Sequence, residues 1–119
     1  MTLLYEILTN LDDLMSQSSG FIVQFNDLIK AENINVVTDA AGNLSIDVPS
    51  EMSDKTAEAV SKKVGIIDRL INDRSSEIEK LIREGLEIEK DISKSDPNFK
   101  SVIQEKASAF RDMKNLYKH

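Results

Sequence analysis

Side chains able to do acid–base or nucleophilic chemistry are few in this chain, and badly placed for it. The single histidine is His119, the last residue, and there is no cysteine. A terminal side chain frays, so His119 is not read as a catalytic base. Without cysteine there is no thiol nucleophile, zinc thiolate cluster or disulfide framework, and the compartment is left open with a lean towards a reducing interior. Carboxylates are plentiful, 21 against 15 lysines and arginines. They are scattered, as in Asp12-Asp13 and Glu87-Glu89, whereas a hydrolytic pair needs a cleft and a neighbour that raises one pKa. The acids between Asp39 and Asp47 lack calcium-loop spacing, and Gly42 stands alone rather than in a phosphate-cradling loop. No catalytic, cofactor-binding or metal-binding residue is assigned, no cofactor is expected, and the chain is not read as an enzyme.

Charge and composition narrow the remaining classes. A formal charge of −6 opposes direct nucleic-acid binding, which needs a basic surface to displace counterions from phosphates. A membrane-surface helix would line its polar face with Lys and Arg, but the polar faces here are mixed or acidic. No run approaches the roughly 18 apolar residues that a membrane span requires. The start, Met-Thr-Leu-Leu-Tyr-Glu, has no basic segment and carries Glu6 in what would be the apolar part of a signal peptide, so no export signal is expected. At 119 residues a single domain is expected. With 40% apolar but only 5% aromatic residues, interdigitating helices suit the composition better than a β-sandwich.

What remains is apolar residues at helical spacing. From Leu3 to Lys30, Leu4, Leu8, Leu11, Met15, Ser18, Ile22, Phe25 and Ile29 step four and three along one seam. A flanking row of Ile7, Leu14, Phe21 and Leu28 widens the stripe, as in a bundle helix buried by more than one neighbour. Ser16 to Gly20 lowers helix propensity mid-way and allows a kink or a close approach, though a continuous helix is expected. Between Ala31 and Ser53 the helical period vanishes. Ile34–Thr38 and Leu44–Val48 flank a turn at Asp39–Asn43 and read either as a small hairpin or as an extended connector.

Ser53 and Asp54 then start a long second helix, expected to end near Ile92. Its seam is Val60, Val64, Ile67, Ile71, Arg74, Ile78, Leu81, Gly85, Ile88 and Ile92, broken only by Arg74 and Gly85. Arg74 reads either as a side chain that snorkels to water or as one that meets a partner; Gly85 reads either as a close crossing or as a softening of the helix near its end. Glu79 and Arg83 are spaced for an i,i+4 ion pair. Asp96 and Pro97 suit the cap and first residue of a third helix running to about Lys118, with Phe99, Ile103, Lys106, Phe110, Met113 and Tyr117 as its seam.

The fold expected is all-α: an antiparallel bundle of three helices around one long central helix, completed by partner helices. Helices of roughly 28, 38 and 21 residues cannot cover one another along the whole of the longest, and an uncovered stripe favours association. The residues expected to form the bundle and partner interface are Leu8, Leu11, Met15, Ile22, Phe25 and Ile29 of the first helix, Val64, Ile67, Ile71, Arg74, Ile78 and Leu81 of the second, and Phe99, Ile103 and Phe110 of the third.

Three strings carry a family resemblance. Phe25-Asn26-Asp27-Leu28-Ile29-Lys30-Ala31-Glu32-Asn33-Ile34, then Ile71 through Ile82, then Asp96-Pro97-Asn98-Phe99-Lys100-Ser101-Val102-Ile103 with Phe110-Arg111, resemble the Mediator complex subunit 22 family. Small helical subunits 21, 9 and 11 of that complex share similar patterns. The resemblance implies a nuclear, non-enzymatic subunit of the Mediator head module. It would form a helical-bundle heterodimer with subunit 11, joined by a segment of subunit 17, and support RNA polymerase II transcription. Rival readings from the same stripes are a helical adaptor of a kinetochore-like or secretion-chaperone-like assembly, and a homo-oligomeric coiled coil.

Overall fold

The computed structural model describes residues 2–41 and 43–117. Gly42, His119 and the expected helix end at Lys118 lie outside them. Helix α1 spans Thr2–Glu32, strands β1 and β2 span Asn35–Thr38 and Leu44–Asp47, α2 spans Asp54–Ser95, and α3 spans Val102–Asn115. The result is an all-α bundle with one long central helix and a small two-stranded sheet at one end. Its extents are 64 × 25 × 19 Å and its radius of gyration is 18.3 Å. A globular chain of this length would have a radius near 13–14 Å, so the molecule is a rod set by the 42 residues of α2.

Helix α1 runs unbroken through Ser16–Gly20. No other element lies within 4 Å of a Cβ built on Gly20, so the glycine does not mark a crossing. The helix ends on Asn33, whose φ of 52° reverses the chain, while the amide of Ile34 donates to the Ile29 carbonyl at 3.1 Å. This is the closing pattern of a left-handed C-terminal residue, where asparagine substitutes for the usual glycine.

The hairpin exists, paired antiparallel with Val36 opposite Ile46 and Thr38 opposite Leu44. Asp39 builds its turn: one carboxylate oxygen accepts from the amides of Ala41 and Asn43, each at 2.9 Å. Alone such a ribbon would be marginal. Here Ile34 and Val36 are buried against Ile22, Phe25, Val60 and Val64, with Leu44, Ile46 and Val48 packed alongside, so the hairpin closes one end of the helical pair.

Ser53 caps α2 as expected, its hydroxyl accepting from the Thr56 amide at 3.2 Å. The buried row of α2 is Val60, Val64, Ile67, Ile71, Ser75, Ile78, Gly85 and Glu89. Past Ile71 it keeps the expected seam at Ile78 and Gly85 but passes through Ser75 and Glu89 rather than Arg74 and Ile88. A straight α-helix drifts about 20° per heptad against a 3.5-residue repeat, so positions one residue after the seam share the buried face with it. Helix α2 also extends three residues beyond the expected end, to Ser95.

The third helix is shorter than the sequence suggests. It begins at Val102, not Pro97, and ends at Asn115. Asp96 instead accepts from the Asn98 amide at 3.1 Å within a turn, leaving Phe99 half-buried in a connector rather than on a helix. The start is set by Ser101, whose hydroxyl accepts from the Gln104 amide at 2.9 Å, and by Glu89 of α2. The buried Glu89 carboxylate accepts from the amides of Val102 at 2.9 Å and Ile103 at 3.2 Å, and from the Ser101 hydroxyl. Free amides at a helix start need acceptors, and a carboxylate from the neighbouring helix supplies them five residues later than Asp96 would have.

The core divides into two clusters along the rod. One gathers Ile22, Phe25, Ile34, Val36, Val60, Val64, Ile67 and Ile71; the other gathers Leu4, Ile7, Leu11, Ile78, Ile103 and Phe110. Between them lies a polar waist with buried Ser18 and Ser75 and the Arg74–Gln17 hydrogen bond of 2.9 Å.

Candidate interaction surface

Helix α3 lies on one face of the α1/α2 pair and fixes which apolar residues remain for other work. Lys106 meets Asp12 of α1 at 2.6 Å, and Lys114 meets Glu79 of α2 at 3.4 Å, so Glu79 pairs across helices and not with Arg83. Tyr117 closes the far end: its ring packs edge-on against Phe25 at 4.8 Å, and its hydroxyl donates to Asp68. Burial, then the bond to Asp68 and the carboxylate's charge, hold this phenol well above its ordinary pKa. Asn26 adds a bond to the Leu116 carbonyl at 3.1 Å.

The opposite face of the pair is open. At 100° per residue, the residues lining the groove there lie about 150° round each helix from Asp12 and Glu79, which hold α3. Near the start of α1 it forms a cavity of about 320 Å³ over Leu14 and Leu81, walled by Asn10, Asp13, Glu77, Lys80 and Glu84. Near the start of α2 it forms another of about 410 Å³ over Leu28, Ala59 and Val60, walled by Glu32, Lys55, Thr56 and Lys63. Between them the Arg74 guanidinium lies 4.8 Å from the centre of the Phe21 ring and donates to Gln17. On the α2 edge of this strip Ile66 is 54% exposed.

Most of the residues expected in the bundle core or at a partner interface lie in the chain's own core. Leu11, Ile78, Ile103 and Phe110 are buried in one cluster, with Leu8 and Met15 packed against it. Ile22, Phe25, Val64, Ile67 and Ile71 are buried in the other, with Ile29 alongside. Leu81 is half-buried, packed against the first of these clusters on one side and lining the open groove on the other. Arg74 is half-buried, and its guanidinium lies at the groove surface, bonded to Gln17 of α1. Gly85 is buried beneath Ile103, whose Cδ1 would lie 2.6 Å from an added Cβ; it is a crossing point within the chain. Leu14 and Leu28, the groove's floor, belong to the flanking row of α1, and that second row was their signal in the sequence. Glu89 and Asp68 had none.

Among the described residues no three or more His, Cys, Asp or Glu side chains are grouped to hold a metal ion, and no helix is long and apolar enough to cross a membrane. Comparison with protein families, characterised proteins and solved structures finds no match to this chain.

Proposed function

We propose that the chain is a non-catalytic structural subunit that works by packing its α1/α2 pair against helices of another protein. The observation that carries this reading is the open groove opposite α3, floored by Leu14, Leu81, Leu28 and Val60. A rod of 64 Å presents such a face along much of its length. Covering apolar area stabilises by roughly 25 cal/mol per Å², so occupation of the groove by a helix favours the complex. The segments 25–34, 71–82 and 96–111 add a specific assignment by their resemblance: a nuclear Mediator head-module subunit resembling subunit 22, in a bundle heterodimer with subunit 11 and a segment of subunit 17, supporting RNA polymerase II transcription. That assignment rests on the resemblance; the groove supports only the coarser reading.

The test is co-expression with candidate partners, beginning with Mediator subunits 11 and 17, followed by mass measurement and circular dichroism. A stoichiometric complex more thermostable than the lone chain is expected. Leu81→Asp should abolish it by burying an unpaired charge at the groove floor, and because Leu81 also touches the core, circular dichroism of the lone variant must show the parent helix content for the result to count. Ile71→Asp is uninformative because Ile71 is fully within the chain's own core. A lone chain that stays monomeric, with no partner lost on Leu81→Asp, would overturn the reading.

A further inference from the structure

The open groove is electrically polarised along its length, and that polarity describes its occupant. Around Leu14 and Leu81 stand three acids, Asp13, Glu77 and Glu84, and one lysine, Lys80. Around Leu28 and Val60 stand two lysines, Lys55 and Lys63, and one acid, Glu32. The first end is thus net acidic and the second net basic. Along α2 the two centres are about 21 residues apart, or roughly 31 Å at 1.5 Å per residue. All five charged side chains on the α2 walls are exposed, so they rim the apolar floor without being consumed by the core.

We propose that the occupant is one amphipathic helix of another protein, about six turns long. Its apolar stripe lies over the leucines, its lysines or arginines lie over Asp13, Glu77 and Glu84, and its aspartates or glutamates lie over Lys55 and Lys63. This rests on the partner-bound reading above and adds the partner's chemistry and direction. Complementary charge at an interface sets register and excludes wrong partners. A second copy of the chain would also match end to end if turned about a two-fold axis. That axis would pass near Leu70 and Arg74, midway between the two ends, and set two Arg74 guanidiniums against each other. Each is tied to Gln17, to the Leu70 carbonyl and over the Phe21 ring, so swinging away would break those contacts, and like charges at a desolvated contact repel strongly.

The test uses the full chain and two synthetic 24-residue peptides with one leucine stripe and one composition. In the first, Lys and Glu are segregated into opposite halves; in the second they alternate. Fluorescence anisotropy should show the segregated peptide binding at least about tenfold more tightly. E77K with E84K, or K55E with K63E, should each weaken it by about tenfold. All four together should restore binding, because the peptide can turn round. Energy transfer from the peptide's basic end to a label on Thr9→Cys, at the acidic end of the groove, should be high in the parent chain and low in the fourfold variant. Circular dichroism confirms that each variant is folded. Equal affinity for both peptides, or charge reversals without effect, would overturn the inference; if Leu14→Asp still abolished binding of both, the helical-partner reading would stand without it. A concentration-dependent dimer of the lone chain that excludes both peptides would overturn it in favour of a second copy.

Discussion

Ile103 of α3 occupies the space into which a side chain on Gly85 of α2 would project, its Cδ1 and Cγ1 lying 2.6 and 2.9 Å from an added Cβ. Ile103 is fully buried, so it has little room to give. Gly85→Ala gains roughly 1 kcal/mol of helix propensity but overpacks the crossing at a cost of about 1–3 kcal/mol. The expected result is a net loss of about 1 kcal/mol in urea denaturation. Adding Ile103→Val should return part of it, because residues in contact couple.

Glu89 is the hinge pin of the same junction. Glu89→Ala leaves the amides of Val102 and Ile103 without their acceptor. That should destabilise by about 2–3 kcal/mol and speed amide exchange at 102 and 103 ahead of the rest of α3. Glu89→Gln keeps one acceptor oxygen and should lose less. Uniform exchange across α3 in Glu89→Ala would contradict this role.

These two contacts show where local pattern stops being informative. The row Val60, Val64, Ile67 and Ile71 is legible because each step repeats the helical period, and Ser53 because its cap is satisfied within four residues. The start of α3 is less so: Ser101 is a local cap for Gln104, but Asp96-Pro97 offers a competing one, and Glu89, 13 residues before Val102, favours Ser101 only after α2 and α3 have packed. The hairpin stays ambiguous for the same reason: its strands hold because Ile34 and Val36 find the Phe25–Val64 cluster. In the groove, Leu14 and Leu81 look equivalent to Leu11 and Ile78 until α3 covers one face and leaves the other.

Tyr117 should give the fold a distinctive alkaline limit. Its phenol is neutral and hydrogen-bonded to Asp68 in the folded chain, with its pKa raised by burial first and Asp68 second. The unfolded phenol ionises near pH 10. Stability from this contact is therefore complete below about pH 10 and lost as pH rises above it, since the unfolded state then sheds a proton the folded state retains. Tyr117→Phe should cost about 1 kcal/mol at pH 8, less than the loss of an only partner because Asp68 keeps its bond from Asn72 at 3.1 Å. Urea titrations from pH 8 to 11 should show the parent losing stability faster than Tyr117→Phe above pH 10.

Ser18 offers a change in the opposite direction. It is fully buried on the α1 seam, and its hydroxyl is the one buried side-chain polar atom without a hydrogen-bond partner among the described residues. A buried hydroxyl that makes no bond costs roughly 1–3 kcal/mol, and serine is a poorer helix former than alanine by a few tenths. Ser18→Ala removes both penalties and vacates only the volume of one oxygen. Thermal denaturation should show a gain of about 1 kcal/mol, where most core truncations lose stability. A loss instead would mean that the hydroxyl is satisfied in solution by a water at the waist, where Ser75 and the Arg74–Gln17 bond already gather polar groups between the two apolar clusters.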